Sequence, residues 1–409
     1  MFTYNIFKVI IIIEGDGNMP NILDYVDWRG DITFDKSPFN DIDNLIFTQL
    51  SYINFDGIVP SFNENGSIKL SDAADRFFHV HGENIDMGIL IPDSIITLLK
   101  KVSCAPRFKD LALTKYINKI NYENPQQFSA VTTLLGDGSF HIAFRGTDDT
   151  IVGWKEDFNM GFMSAVPSQL DAVKYVNSVA DEIDGKIIIG GHSKGGNLAV
   201  YSAVYCSDNI KNRIIMVYNN DGPGFSKKIL DSDEYAEVSD KIKTIIPESS
   251  VVGILLEHEE KFTIVKSTQK GLLQHDAFSW ELIGTQFLAA EERTQYSEIS
   301  DAALKTWLSQ MDTEERTLFV DTLFDILQST DAKTLTDLNA NKLEIAMSLM
   351  KTIKNLDDDK KAGMNKILGE LFKDNVMAAV NTVFKTKEKQ EKKKKNGKYI
   401  VLKRKKQAD

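Results

Sequence analysis

KIIIGGHSKGGNLAVYSAVY, residues 186–205, is the stretch whose reading decides the fold. Its apolar run Ile187-Ile188-Ile189 has the length and β-branching of a buried strand. A glycine-flanked serine follows, Gly191-His192-Ser193-Lys194-Gly195, and then an apolar run with helical spacing from Leu198. Strand, sharp turn and helix is the setting of a nucleophile elbow, which holds a serine in a strained backbone conformation above the edge of a sheet. The neighbours two positions away must be small, and both are glycine. The bare pattern is weak, since ordinary Gly and Ser usage gives about 0.1 chance matches in a chain this long. The flanking strand and helix carry the reading.

Around the elbow, strands and helices alternate. Strands are expected at 128–135, 139–145, 186–190, 214–218, 241–246 and 262–265, with a hairpin turn at Gly136-Asp137-Gly138. Helices are expected over 41–55, 168–184 and 195–206, and residues 70–120 read as mainly helical, with amphipathic pieces at 94–102 and 108–120. This alternation predicts an α/β fold of the α/β-hydrolase kind: a mostly parallel sheet flanked by helices. After about residue 290 the strand signals stop, and helical spacing through Leu318, Phe319, Leu323, Ile326 and Leu327 predicts a C-terminal helical domain. The organisation read from the chain is an N-terminal extension at 1–18, a hydrolase domain at 19–290, a helical domain at 291–384 and a basic tail at 385–409. Residues 1–18 are apolar but too short to span a membrane, and they lack the basic start and cleavage site of a signal peptide. They are read as lying upstream of the natural start at Met19.

The 409 residues carry a net charge of −11. The tail from Lys385 holds 12 Lys/Arg against 3 Asp/Glu, so the remainder carries −20, which argues against a general nucleic-acid binder. The tail itself is expected to be a solubilising segment or a weak contact to anionic membrane or nucleic acid. No obligate protein partner is implied. Cys104 and Cys206 make no disulfide framework, no His/Cys spacing suggests a metal, and no cofactor is called for. This cysteine usage predicts a cytoplasmic protein.

Acyl transfer at Ser193 needs an oxyanion hole, a base and an acid. The backbone N–H of Lys194, next to the nucleophile, is one expected oxyanion donor, and Thr147, in Phe144-Arg145-Gly146-Thr147 after a strand, is the other. Among the six histidines, His275 lies on a loop after the last strand, where the order Ser, acid, His puts the base; His258 competes with it. The acid is Asp221, in Asn219-Asn220-Asp221-Gly222-Pro223-Gly224, or alternatively Glu248 after the next strand. Asp221 could equally cap its Gly-Pro-Gly turn. Residues 148–167, with Trp154, Phe158, Phe162 and Met163, are read either as a lid with an apolar underside or as an ordinary packed connection.

Taken together, Phe144-Arg145-Gly146-Thr147 with Trp154, the elbow 191–195, Asp221-Gly222-Pro223-Gly224 and Gln274-His275-Asp276 with Ser279-Trp280 resemble the class 3 lipases of the α/β-hydrolase superfamily. They are more closely similar to the bacterial Mbeg1-like group, and the opening Asp24-Tyr25-Val26-Asp27-Trp28-Arg29-Gly30 also looks like that family's start. The lipase resemblance spans about 130–285 and the family resemblance most of 19–380. It implies a serine esterase or lipase-like enzyme, with Ser193 as nucleophile, His275 as base and Thr147 at the oxyanion. One departure stands out. Where lipases place the triad aspartate, this chain has Ser250-Val251-Val252-Gly253, so Asp221 or Glu248 substitutes or the triad is incomplete. An incomplete triad would mean a weak or inactive hydrolase scaffold that binds or regulates. Lys194 also replaces the small residue often found there, and is read as a solvated first-turn residue or as a contact for an anionic head group.

Overall fold

The central strands are too uniformly apolar to leave either sheet face in water, and helices cover both. The computed structural model describes residues 19–82, 85, 87–88, 91–148, 150–160, 163–295, 297–298, 321 and 324. The chain divides between residues 340 and 341 into two units, and every described residue lies in the first. The N-terminal extension, nearly all of the expected helical domain, and the basic tail therefore fall outside the described residues.

Helices α1 (Ile22–Arg29) and α2 (Asp41–Leu50) open the described chain. Each begins at an asparagine, Asn21 or Asn40, whose side chain accepts from the first-turn N–H groups while an aspartate at the third helical position closes a capping box. A short strand β1 (Ile68–Lys69) leads into α3 (Leu70–His81) and α4 (Ser94–Cys104). Three longer strands follow, β2 (Ala112–Asn121), β3 (Gln126–Leu134) and β4 (Ser139–Phe144), then α5 (Ile151–Met160) and α6 (Pro167–Glu182). Strand β5 (Lys186–His192) runs into α7 (Lys194–Tyr205), and α8 (Asp208–Lys211) turns the chain into β6 (Ile214–Asn220). Helices α9 (Lys227–Leu230) and α10 (Asp233–Ser239) precede β7 (Ile242–Pro247) and β8 (Phe262–Val265). A small hairpin, β9 (Leu282–Ile283) and β10 (Gln286–Phe287), closes the described fold.

The eight strands β1 to β8 lie in sequence order in one sheet. The first four are antiparallel; from β4 to β8 every pair is parallel. Alternate residues feed two cores. Val131, Ala143, Ile188 and Tyr218 pack with α1 to α4, while Ala130, Ile142, Ile187, Ile189 and Val217 pack with α6, α7 and α10. This is an α/β-hydrolase-like fold, and α7 is its most enclosed helix, buried continuously from Lys194 to Val204. No helix among the described residues is long and apolar enough to cross a membrane.

One expectation fails. Residues 108–120 are not a helix: from Ala112 they form β2, paired antiparallel with β3. A bulge between Thr114 and Ile117, with Lys115 at φ 55°, breaks the two-residue alternation: four consecutive residues, Leu113 to Tyr116, are buried, and the strand turns outward beyond them. The strand period is thus hidden in the sequence.

The face carrying α1 to α4 is pinned by an ion pair with no solvent exposure on either side chain, Arg107–Asp43. Arg107 Nε donates to Asp43 Oδ1 at 2.8 Å, and its other nitrogens donate to the carbonyls of Ile32, Ser37 and Pro38. Asp43 is also the capping-box acid of α2. Arg107→Ala would strand a buried carboxylate, and we expect it to lower the unfolding free energy by roughly 3–5 kcal/mol in urea denaturation.

Candidate active site

The elbow geometry follows from how closely β5 and α7 cross. Ser193 sits between them at φ 57°, ψ −132°, a strained conformation for a residue with a side chain. Its N–H donates to Asn220 O (2.9 Å), and its carbonyl accepts from Gly196 N (2.9 Å). A side chain at Gly191 would fall 2.0 Å from the Gly195 backbone, and one at Gly195 would fall 2.2 Å from Phe144 O. The two flanking glycines are steric requirements of the crossing.

The other groups gather at the C-terminal ends of neighbouring strands, where open α/β sheets build their sites. Gly146, just past β4, lies directly on the elbow: a Cβ there would be 2.6 Å from His192 O and 3.1 Å from Ser193 Cβ. This brings the Thr147 segment beside the serine. Thr147 is half-buried, and its hydroxyl donates to Asp157 on α5, which leaves its backbone N–H as the group free of that commitment.

Asp221 follows β6 in a left-handed conformation (φ 52°) and is fully buried. His275 Nδ1 donates to its Oδ2 at 2.7 Å. The other oxygen, Oδ1, accepts from the Ser250 hydroxyl and from Gly253 N (3.2 Å). Ser250-Val251-Val252-Gly253, the run whose lack of an aspartate the sequence singled out, thus supplies donors to a carboxylate brought in from the preceding strand. The turn-capping reading of Asp221 does not hold. Asn219 makes that turn, accepting from Gly222 N (2.9 Å) and donating to Gly222 O (3.2 Å). Glu248, the alternative acid, makes no hydrogen bond to His275; its main chain pairs with Val265 and Thr294. His258 is not joined to either candidate acid. It pairs through Nδ1 with Glu260 Oε1 (3.1 Å), and Glu260 also accepts from Tyr235 OH. Burial alone would raise the Glu260 carboxyl, but the bonds from His258 and Thr244 outweigh it and hold the group at about 2.

The His275 loop is fastened by residues to which the sequence reading gave no such role: Tyr52, His192, Gln274 and Trp280. His192 is buried and neutral, its pKa pushed well down by burial and by His275. Its Nε2–H donates to the His275 carbonyl at 2.9 Å, and Tyr52 OH donates to its Nδ1 at 3.2 Å. The His192 and His275 rings lie 4.6 Å apart, which puts the imidazole against the residue next to Ser193. Gln274 accepts from Ser249 N (2.7 Å), and Trp280 Nε1 donates to Gln274 O (2.8 Å). Ser193 itself makes no side-chain hydrogen bond to His275; in unliganded hydrolases that contact commonly tightens only with substrate.

Lys194 corrects both of its expected roles. It is neither solvated nor turned toward a ligand: 1% of its side chain is exposed, and Nζ donates to Gln127 O (2.9 Å), Gln127 Oε1 (2.8 Å) and Glu156 Oε2 (3.2 Å). Nor is 148–167 a free flap. Helix α5 buries Ile151, Val152, Glu156 and Met160, and Phe324 packs on its Phe158 with ring centres 5.8 Å apart. Of its expected apolar set, Phe162 lies outside the described residues. No group of three or more His, Cys, Asp or Glu suited to a metal occurs among the described residues.

The model of the Mbeg1-like family matches residues 102–325. Among solved structures, the M37 lipase is 16% identical with a TM-score of 0.33, over 53% of this chain and 70% of that one. Native Rhizomucor miehei lipase in its propeptide complex is 16% identical with a TM-score of 0.36, over 64% and 75%. The lipase from Rhizopus microsporus var. chinensis is 14% identical with a TM-score of 0.33, over 63% and 82%. No curated protein matches the sequence.

Asp157 titrates unusually. Burial raises its carboxyl to about 6, with Glu156 and Asp148 adding to the rise and Lys194 and the Thr147 hydroxyl opposing it. A folded pKa above the unfolded one means that this group's contribution to stability is full below about pH 4 and is lost as pH rises through about 6. Asp157→Asn removes that loss. Its Tm relative to wild type should therefore climb between pH 4 and pH 7 in a melting series.

Proposed function

Because this chain belongs to the Mbeg1-like family, and because the neighbour of its elbow serine packs against a half-buried histidine bonded to a buried aspartate, we propose that it is a serine hydrolase of acyl esters, lipid esters included. The observation that carries the reading is the 2.7 Å bond from His275 Nδ1 to Asp221, whose second oxygen is itself held by Ser250 and Gly253. A carboxylate so held has both oxygens engaged by donors. It fixes the imidazole tautomer with Nε2 free to act as base, and it stabilises the imidazolium that forms.

In this reading Ser193 Oγ attacks the ester carbonyl while His275 Nε2 takes its proton and returns it to the leaving alcohol. The acyl-serine is then hydrolysed by water activated in the same way. The backbone N–H groups of Lys194 and Thr147 receive the oxyanion, and the N-terminus of α7 adds its positive end. The Lys194 N–H is available because the first N–H groups of a helix have no partner within it.

The test is labelling by a fluorophosphonate probe together with hydrolysis of a soluble p-nitrophenyl ester. Wild type should label and turn over, and Ser193→Ala should do neither. Asp221→Asn should lower kcat by roughly 10³–10⁴-fold through the wrong tautomer, whereas Glu248→Gln should leave it within about twofold. A folded wild type that neither labels nor hydrolyses would reject the enzyme in favour of a non-catalytic scaffold.

A further inference from the structure

A buried cation follows the nucleophile directly, and nothing in the reaction just described uses its charge. Lys194 Nζ makes three hydrogen bonds, the full donor capacity of an ammonium, two of them to Gln127 on β3. Its partner Glu156 has no exposed side chain and is equally saturated. It accepts from Gln127 N (3.0 Å), Ser168 N (2.9 Å) and Ser168 Oγ (2.7 Å) as well as from the lysine. A buried ion pair of this kind is a poor source of stability, because desolvation of two charges offsets their attraction and apolar residues of similar volume commonly do as well. Its distinctive property is direction: a saturated polar network admits one arrangement, where apolar packing tolerates several.

The arrangement it enforces is local to the reaction. The main chain of Lys194 is the first turn of α7, one residue past the strained serine, and its side chain is moored to β3 and α5. The next residue on α5, Asp157, receives the Thr147 hydroxyl and lies 3.7 Å from Lys194 Nζ. Both residues assigned to the oxyanion are therefore tied by their side chains to consecutive carboxylates of one helix.

We propose that the Lys194–Glu156 pair is a positioning device that holds the backbone N–H of residue 194 on the oxyanion, with α5 as its strut. The proposal rests on the serine-hydrolase reading and adds to it residues that never touch substrate through their side chains. A donor misplaced by about 1 Å can cost on the order of 100-fold, and loss of one oxyanion donor costs roughly 10²–10³-fold.

The experiment compares full-length wild type with Lys194→Met, Glu156→Gln and the double variant, reading Tm, p-nitrophenyl butyrate kinetics and fluorophosphonate labelling rate. Each single variant leaves its partner's charge uncompensated in the core and should lose Tm. The double variant removes both charges together and should regain much of that Tm, yet its kcat should stay about 10- to 100-fold below wild type with KM nearly unchanged, and its labelling should slow in parallel. A double variant that recovers kcat along with Tm would overturn the proposal, leaving the pair a structural element only. A rise in KM at full kcat would overturn it too. Should the methionine variants not fold, Glu156→Gln assayed well below its own Tm decides: reduced kcat at constant KM supports the device, and full kcat rejects it. An inert wild type is a different result, which overturns the hydrolase reading and the positioning role together.

Discussion

The close crossing of β5 and α7 is the constraint on which the rest of the site depends. A parallel strand must leave the sheet, reverse and enter a helix buried from Lys194 to Val204, and it does so within one residue. Only a left-handed conformation closes that turn, and the residue that adopts it is Ser193. The strain is carried by packing on every side: the glycines at 191 and 195 meet backbone, Gly146 presses against the serine, and Ser193 N is bonded to β6. The serine hydroxyl is thereby left at the sheet edge, and the loops after β4, β6 and β8 converge on it.

The acid proposed for the triad illustrates how one chemical task can be met from a different strand. A triad needs a carboxylate on His Nδ1; it does not specify which strand end delivers it. Asp221, past β6, reaches the imidazole because its backbone turns left-handed and Asn219 makes the following turn in its stead. The segment after β7 then contributes Ser250 Oγ and Gly253 N as donors, so the buried carboxylate is not left with unpaired oxygens. The proposed base, His275, is fixed at both ends, since His192, itself bonded to Tyr52, holds its carbonyl while Asp221 holds its ring.

Behind the serine, polar groups replace the apolar packing usual under a central helix. Lys194, Glu156, Gln127 and Ser168 form a saturated cluster, and Asp157 beside it keeps one buried oxygen without a hydrogen bond. Burial, with Glu156 and Asp148 nearby, displaces the Asp157 carboxyl toward neutral pH against the opposing charge of Lys194, which remains paired with Glu156. The cluster also explains why α5 is anchored: lifting it would expose a bare ammonium and a bare carboxylate to each other's absence.

Much of this was legible along the chain because it is written in local terms. Apolar runs of strand length, the G-x-S-x-G turn, the hairpin at 136–138 and the helical spacing of 168–184 each depend on a few adjacent residues, and they determined the alternating α/β order and the position of Ser193. Strand β2 was missed for the same reason, since its bulge erased the local period. What the tertiary structure alone decided is which distant groups meet. The hydrogen bond that joins His275 to Asp221, and leaves Glu248 and His258 out of it, connects loops separated by tens of residues, and so does the fate of Lys194, which is desolvated by Gln127 and Glu156 and by nothing in its own neighbourhood. Sequence neighbours specify backbone conformation; burial and charge pairing are properties of the assembled core.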